Sequence, residues 1–228
     1  MKILGSVQPS YLAWLPFFNR INASDVFVYL DSVEYSKNSF HNRNRIKTKQ
    51  GELSLSVPVK YSGNSTALLN KIQTDDAQPW KKKHWKTITQ NYRKSEHFNE
   101  FSESLEQIYT SSHNSLADLN IELIDLFCIY LGINTPTYRA SELNPSGSAN
   151  DMLINLCAKL DASHFIVKPN TDNYHSTAYF NKHGIEMHYW QHQTLVYPQL
   201  YTTFTPNLSA LDFAANCGPN SFSKFYIN

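Results

Sequence analysis

Glycine, cysteine and one-sided charge are all scarce in this chain of 228 residues, and each shortage closes off a class of protein. With 7 glycines and 10 prolines it is neither collagen-like nor low-complexity. The glycines also miss the spacings of a Walker loop or a dinucleotide fingerprint. Three cysteines, Cys128, Cys157 and Cys217, are too few and odd in number for a disulfide framework, and none forms a CxxC pair that would hold zinc. A reducing, cytoplasmic location is the expectation. Lys and Arg number 20 against 19 Asp and Glu, a net charge of +1, which excludes a broad electrostatic grip on nucleic acid. No uninterrupted run of about 18 apolar residues occurs. Gln8 and Pro9 cut the N-terminal apolar stretch before a signal-peptide core is complete, so neither a membrane span nor an export signal is expected.

What is present suits a globular α/β protein. Hydrophobic residues at 41% supply a sizeable core. Ile3 to Val7 reads as a short buried strand, Trp14 to Ile21 has helical spacing, and VFVYLDSVEY is rich in β-branched and aromatic residues. Strand, helix and strand within roughly 30 residues predict a parallel βαβ unit. SKNSFHNRNRIKTKQGE reads as a polar, basic loop and ELSLSVPV as a half-buried strand. Helices are predicted over Lys81 to Lys94, Ser102 to Tyr109 and LADLNIELIDLFCIYL, the last stopping at Gly132. ANDMLINLCAKL (helix), HFIVKP (strand), STAYFNKHG (helix) and IEMHYW (strand) bring the alternation back. The expected architecture is a single α/β domain over residues 1–228. N- and C-terminal β-α-β elements share a mainly parallel sheet, and a helical lobe over approximately 80–135 is inserted between them.

Several side chains stand where such folds do chemistry. Gln8, Tyr11 and Trp14 follow the first strand, and Asp31 closes the second, with Glu34 three residues on. Open parallel sheets bind ligands outside the carboxyl ends of their strands, so these residues are candidates for the crevice and Asp31 for a base or amine anchor. In HNRNRIKT, Arg43 and Arg45 are two apart, so an extended backbone sends both guanidiniums from one face, with Asn42 and Asn44 on the other. Two planar donor forks suit a carboxylate or a diphosphate. Ser209 reads as the N-cap of a helix that holds Asp212 at its third position. Cys217 reads as a structural thiol. WKKKHWK reads as a solvated face with Trp80 and Trp85 turned inward. His188 and His192 are four apart but straddle a predicted strand end, where they make no helical ligand pair, and no metal site is expected.

The run VQPSYLAWLPFFNRINASDVFVYLDSVEYSKNSFHNRNRIKT, then LSLSVPV, the Trp-Lys helix and the late Tyr-Pro-Gln and Leu-Ser-x-Leu-Asp segments, resembles the WbqC-like family over nearly the whole chain. That family typically opens with Gln-Pro-x-Tyr-x-Pro-Trp, closes its second strand with aspartate and carries Asn-Arg-Asn-Arg-Ile-Lys. This chain departs in having Val7 where the family commonly has histidine and Ala13 where it has proline. The family occurs in gene clusters for bacterial O-antigen and related surface polysaccharides and has been suggested to supply a glycine transferase. By resemblance, Gln8, Tyr11, Trp14, Asp31, Asn42, Arg43, Arg45, Tyr197, Gln199, Ser209 and Asp212 match motif positions.

The resemblance implies transfer of an acyl or aminoacyl group, glycine being one candidate, to a nucleotide-linked or carrier-linked amino sugar. The donor would be an activated acyl or aminoacyl group, a carrier protein being one candidate bearer. Asp31 or His175 would act as base, Arg43 and Arg45 would hold the diphosphate, and Tyr11, Trp14 and Tyr174 would stack on sugar or base. No motif names a cofactor. Two alternatives remain: an ATP-dependent enzyme of the adenylyltransferase type, and a noncatalytic binding protein for polysaccharide enzymes.

Overall fold

The computed structural model describes residues 1–61, 67–169, 175–191, 194–201 and 203–225. In chain order its strands and helices are β1 (Ile3–Val7), α1 (Leu15–Asn22), β2 (Val26–Tyr29), β3 (Arg43–Thr48), β4 (Gly51–Ser56), α2 (Trp80–Tyr92), α3 (Ser102–Thr110), α4 (Leu116–Leu131), β5 (Thr137–Arg139), α5 (Ala140–Leu143), α6 (Ala149–Lys159), β6 (His164–Val167), α7 (Thr177–Lys182), β7 (Glu186–Tyr189), α8 (Ala210–Cys217) and α9 (Phe222–Phe225). Among the described residues no helix is long and apolar enough to cross a membrane.

The chain folds as two compact units. Unit 1 comprises Met1–Gln8, Pro16–Ser32 and Asn134–Gln193; unit 2 comprises Pro9–Leu15, Val33–Ile133 and Thr194–Asn228. The helices of the expected middle lobe therefore share their unit with the β3–β4 hairpin and the C-terminal helices.

Unit 1 is a parallel five-stranded sheet in the order β5-β2-β1-β6-β7. Counted along this unit alone the strand order is 3-2-1-4-5, the doubly wound arrangement, and it reverses direction between β1 and β6. Alternate residues face opposite sides. Leu4, Val26, Val28, Phe165 and Val167 pack with Leu153, Leu156 and Cys157 of α6 and Phe180 of α7. From the other side Phe27 meets Phe17 of α1 at 5.8 Å between ring centroids. Each fully buried side chain of this kind contributes about 1.5–3 kcal/mol. Gly5 lets the turn after α1 lie close to the sheet, because a Cβ there would lie 2.2 Å from Ser24 Oγ. β5 was not foreseen in the sequence; it is three residues long and its first two are exposed.

Unit 2 is built round α4, which is buried along most of its length. Ser115 caps its first turn by accepting from Asp118 N–H, and Gly132, at φ 77°, ends it in the left-handed region. The basic segment expected to be a loop is in part a strand: Arg43–Thr48 pairs antiparallel with Gly51–Ser56. Its polar residues hid this, because Asn44 and Lys47 are buried beside Ile46 and bonded rather than solvated.

Candidate functional site

In unit 1 a cavity of about 260 Å³ opens at the carboxyl ends of β1 and β6, lined by Ser6, Arg20, Leu30, Phe165, Val167, Lys168 and His175 among others. It therefore sits at the point where the strand order reverses, which is where doubly wound sheets receive ligands. Three of its lining residues are basic and none of those described is acidic.

Each basic group is placed by its own element. Arg20 lies in the last turn of α1. Its Nη1 donates to Ser6 O at 3.3 Å, and its guanidinium stands 5.9 Å from the Trp190 ring centroid. No carboxylate pairs with it among the described residues, and burial lowers its pKa from 12.5 to about 10, leaving it charged at neutral pH. Lys168 follows directly on β6, and its pKa is lowered by burial and then by the Arg20 charge. His175 is wedged edge-on between Phe165 and Phe180, at 5.9 and 6.1 Å. Its Nδ1 lies 2.9 Å from Asn150 Oδ1. An amide oxygen can only accept, so Nδ1 carries the proton and Nε2 keeps a free lone pair. Burial first, then Arg20, lowers the pKa of the ring, which is neutral at pH 7. The Arg20 charge lowers the proton affinity of both Lys168 and His175, and the described lining carries basic side chains without an acidic one, a composition that suits an anion.

Asp31 also lies in unit 1 and is 1% exposed. Its Oδ1 accepts from Ser141 N at 2.9 Å and its Oδ2 from Ser141 Oγ at 2.5 Å, so both oxygens hold the first turn of α5. Gln8 ends the unit's first segment with an exposed side chain. Tyr174 lies outside the described residues.

The remaining expected site residues belong to unit 2. Tyr11 is fully buried, its hydroxyl 2.8 Å from His84 Nδ1 and 2.5 Å from Tyr109 OH. Trp14 stacks on the half-exposed Phe40 at 6.1 Å. Asn42 donates to Val57 O at 2.9 Å. Arg43 is exposed; Arg45 is partly exposed and paired with Glu52 at 2.5 Å, a surface ion pair worth little. Their shared face is as expected, since both alternate with the buried Asn44.

Tyr197, Gln199 and Asp212 converge in one buried network. Asp212 Oδ1 accepts from Tyr92 OH and Oδ2 from Tyr197 OH, each at 2.9 Å. Burial raises the Asp212 pKa, opposed by these two donors and by the charge of Lys47. Lys47 Nζ donates to Gln199 Oε1 at 2.8 Å and to Thr203 O. Ser209 Oγ caps α8 by accepting from Leu211 N at 3.2 Å. Asp212, in the first turn of α8, turns instead toward the two tyrosines.

Sequence reasoning missed Arg20, Lys168, Lys47 and Tyr92. The rule that singled out Asp31, that residues ending buried parallel strands face the crevice, applies equally to Lys168 after HFIV.

A family model described as the WbqC-like protein family matches residues 8–224. The chain belongs to the WbqC-like family. A relative from Mycobacterium tuberculosis (strain ATCC 25618 / H37Rv), named there as uncharacterized protein Rv1507c, is 31% identical to this WbqC-like chain over 220 residues, 96% of this chain and 95% of the relative. No solved structure matches the chain. The Tyr-Pro-Gln, Leu-Ser-x-Leu-Asp and Ile-Lys segments of this WbqC-like protein thus each supply a residue of the buried Asp212 network.

Proposed function

We propose that this WbqC-like protein is a transferase that joins an acyl or aminoacyl group, glycine being one candidate, to the amine of a diphosphate-linked amino sugar for a surface polysaccharide. The observation that carries the reading is the convergence of Arg20, Lys168 and His175 on one cavity at the switch point of the unit 1 sheet. Arg20 and Lys168 would hold the phosphate end of the acceptor, a planar fork and a point charge meeting oxygens that spread their charge.

The chemistry needs a proton acceptor. As the sugar amine attacks the activated carboxyl, the new C–N bond forms, the amine's proton passes to His175 Nε2, and the donor's leaving group departs. His175 suits this step better than Asp31, whose oxygens are both occupied by Ser141. A bound phosphate would raise the His175 pKa by offsetting the Arg20 charge, so substrate would strengthen its own base.

The doubly wound strand order favours a second reading, in which the cavity takes the phosphates of ATP and the protein activates the amino acid by adenylylation. Thermal shift with UDP- and dTDP-amino sugars, ATP, coenzyme A and glycine separates the two. A ligand at about 100 times its dissociation constant adds about 2.7 kcal/mol of stability. Stabilisation by a nucleotide sugar, with transfer lost in His175→Gln and kept in Asp31→Asn, supports the first reading. Stabilisation by ATP alone supports the second, and stabilisation by none of the panel contradicts both.

A further inference from the structure

Unit 2 holds a second, smaller cavity, and we propose that it binds a small carboxylate, with the His84 Nε2–H and the Lys83 ammonium as its donors. The proposal rests on unit 2 residues alone. The cavity, of about 200 Å³, has an apolar wall of Pro58, Pro79 and Trp80 and a polar side of Gln78, Lys83 and His84. That volume is below the roughly 300 Å³ at which pockets begin to enclose drug-sized ligands, so it fits a few-atom acid rather than a nucleotide.

The direction of the His84 hydrogen bonds follows from counting protons. Tyr109 OH, Tyr11 OH and His84 Nδ1 form a chain with 2.5 and 2.8 Å links. All three rings are buried. If His84 Nδ1 donated to Tyr11, three protons would share two links, and one phenol proton, that of Tyr109 or of Tyr11, would be left buried with no acceptor among the described residues. That arrangement is costly. In the reverse order every proton is used: Tyr109 donates to Tyr11, Tyr11 donates to His84 Nδ1, and the ring, neutral because burial lowers its pKa to about 4, carries its proton on Nε2. His84 is 8% exposed, and this N–H has no acceptor among the described residues.

The neighbouring charges agree. Lys81 is neutralised by Asp76 at 2.7 Å, and the same carboxylate takes the Trp80 Nε1–H at 3.1 Å, leaving the indole as plain wall. Gln78 is fixed by donating to Asp75 Oδ2 at 2.7 Å. Lys83 makes no ion pair among the described residues. A fixed N–H donor and an unpaired ammonium flank an apolar wall with no acid in the lining, which is complementary to a carboxylate bearing a short aliphatic tail.

The test uses the full chain labelled with ¹⁵N-histidine at pH 7. Without ligand, the His84 imidazole should be a single neutral tautomer protonated on Nε2; a ring protonated on Nδ1 overturns the proposal. Sodium acetate added at constant ionic strength should shift the His84 Nε2 signal saturably. Lys83→Gln, a change at an exposed side chain, should weaken the apparent affinity roughly tenfold or more at unchanged melting temperature. Lys168→Ala, in unit 1, should leave the affinity for acetate unaltered. Absence of a saturable shift, equal affinity in Lys83→Gln, or tighter binding of inorganic phosphate than of acetate overturns it.

Discussion

The side-chain amide of Asn44 donates to the backbone carbonyl of Leu12 at 2.8 Å and to that of Tyr11 at 3.3 Å. Leu12 is fully buried at φ 44°, in the left-handed region that a γ-branched residue rarely adopts. From α4, Asn120 donates in the same way to Pro9 O at 3.1 Å and His41 O at 2.8 Å. The Gln-Pro-x-Tyr turn is thus held in a strained conformation by asparagines that are themselves 2% and 0% exposed.

Asn44→Ala should therefore cost about 2–3 kcal/mol, the loss of two buried hydrogen bonds and their unsatisfied carbonyls, seen as a lower urea midpoint with an unchanged slope. A cost under about 0.5 kcal/mol would mean that the turn holds itself.

In the Asp212 network the two tyrosines differ. Tyr92 OH donates to Asp212 and also accepts from the backbone N–H of Lys47 at 2.9 Å, whereas Tyr197 OH donates to Asp212 and otherwise meets the Gln199 side chain rather than a backbone N–H. Tyr92→Phe strands a backbone N–H as well as a carboxylate oxygen, so it should destabilise by about 1 kcal/mol more than Tyr197→Phe in parallel chemical denaturation.

The pH dependence has a definite sign at His84. Its folded pKa, about 4, lies below the unfolded value near 6.5, so the unfolded chain binds the extra proton between those limits. The His84 contribution to stability is complete above pH 6.5 and is lost as pH falls toward 4, in total of order 3 kcal/mol. Asp212, whose pKa is raised by burial, acts in the opposite sense, losing stability as pH rises. The difference in unfolding free energy between wild type and His84→Gln isolates the histidine. We expect that difference to shrink between pH 6.5 and 4 and to stay flat from pH 7 to 8.

The βαβ opening was legible in the sequence because apolar strands of four or five residues and an eight-residue amphipathic helix each show their own period. So were the α4 stop at Gly132 and the Ser209 cap, both set by local backbone chemistry. The hairpin strand was not, since Asn44 and Lys47 are polar residues buried by partners far along the chain: Asn44 bonds 32 positions back and Lys47 bonds 152 positions on. Arg20 was hidden for a similar reason. On a helix surface an arginine reads as solvated, and only its long-range contacts, with Ser6 O at the end of β1 and with the Trp190 ring, place it at the cavity. Asp31 follows β2 as its place after VFVYL indicated, yet its partner, Ser141, follows a strand too short to show a pattern.

The most direct test of the central claim, that the unit 1 cavity holds the phosphate end of a substrate, is calorimetric titration of a UDP-linked amino sugar into wild type, Lys168→Ala and Arg20→Lys, with melting temperatures as fold controls. Losing one charge-assisted contact should weaken binding roughly tenfold to a hundredfold in each variant. Arg20→Lys should suffer despite keeping its charge, because the ammonium cannot reproduce the planar fork. Affinity equal to wild type in both folded variants would contradict the claim.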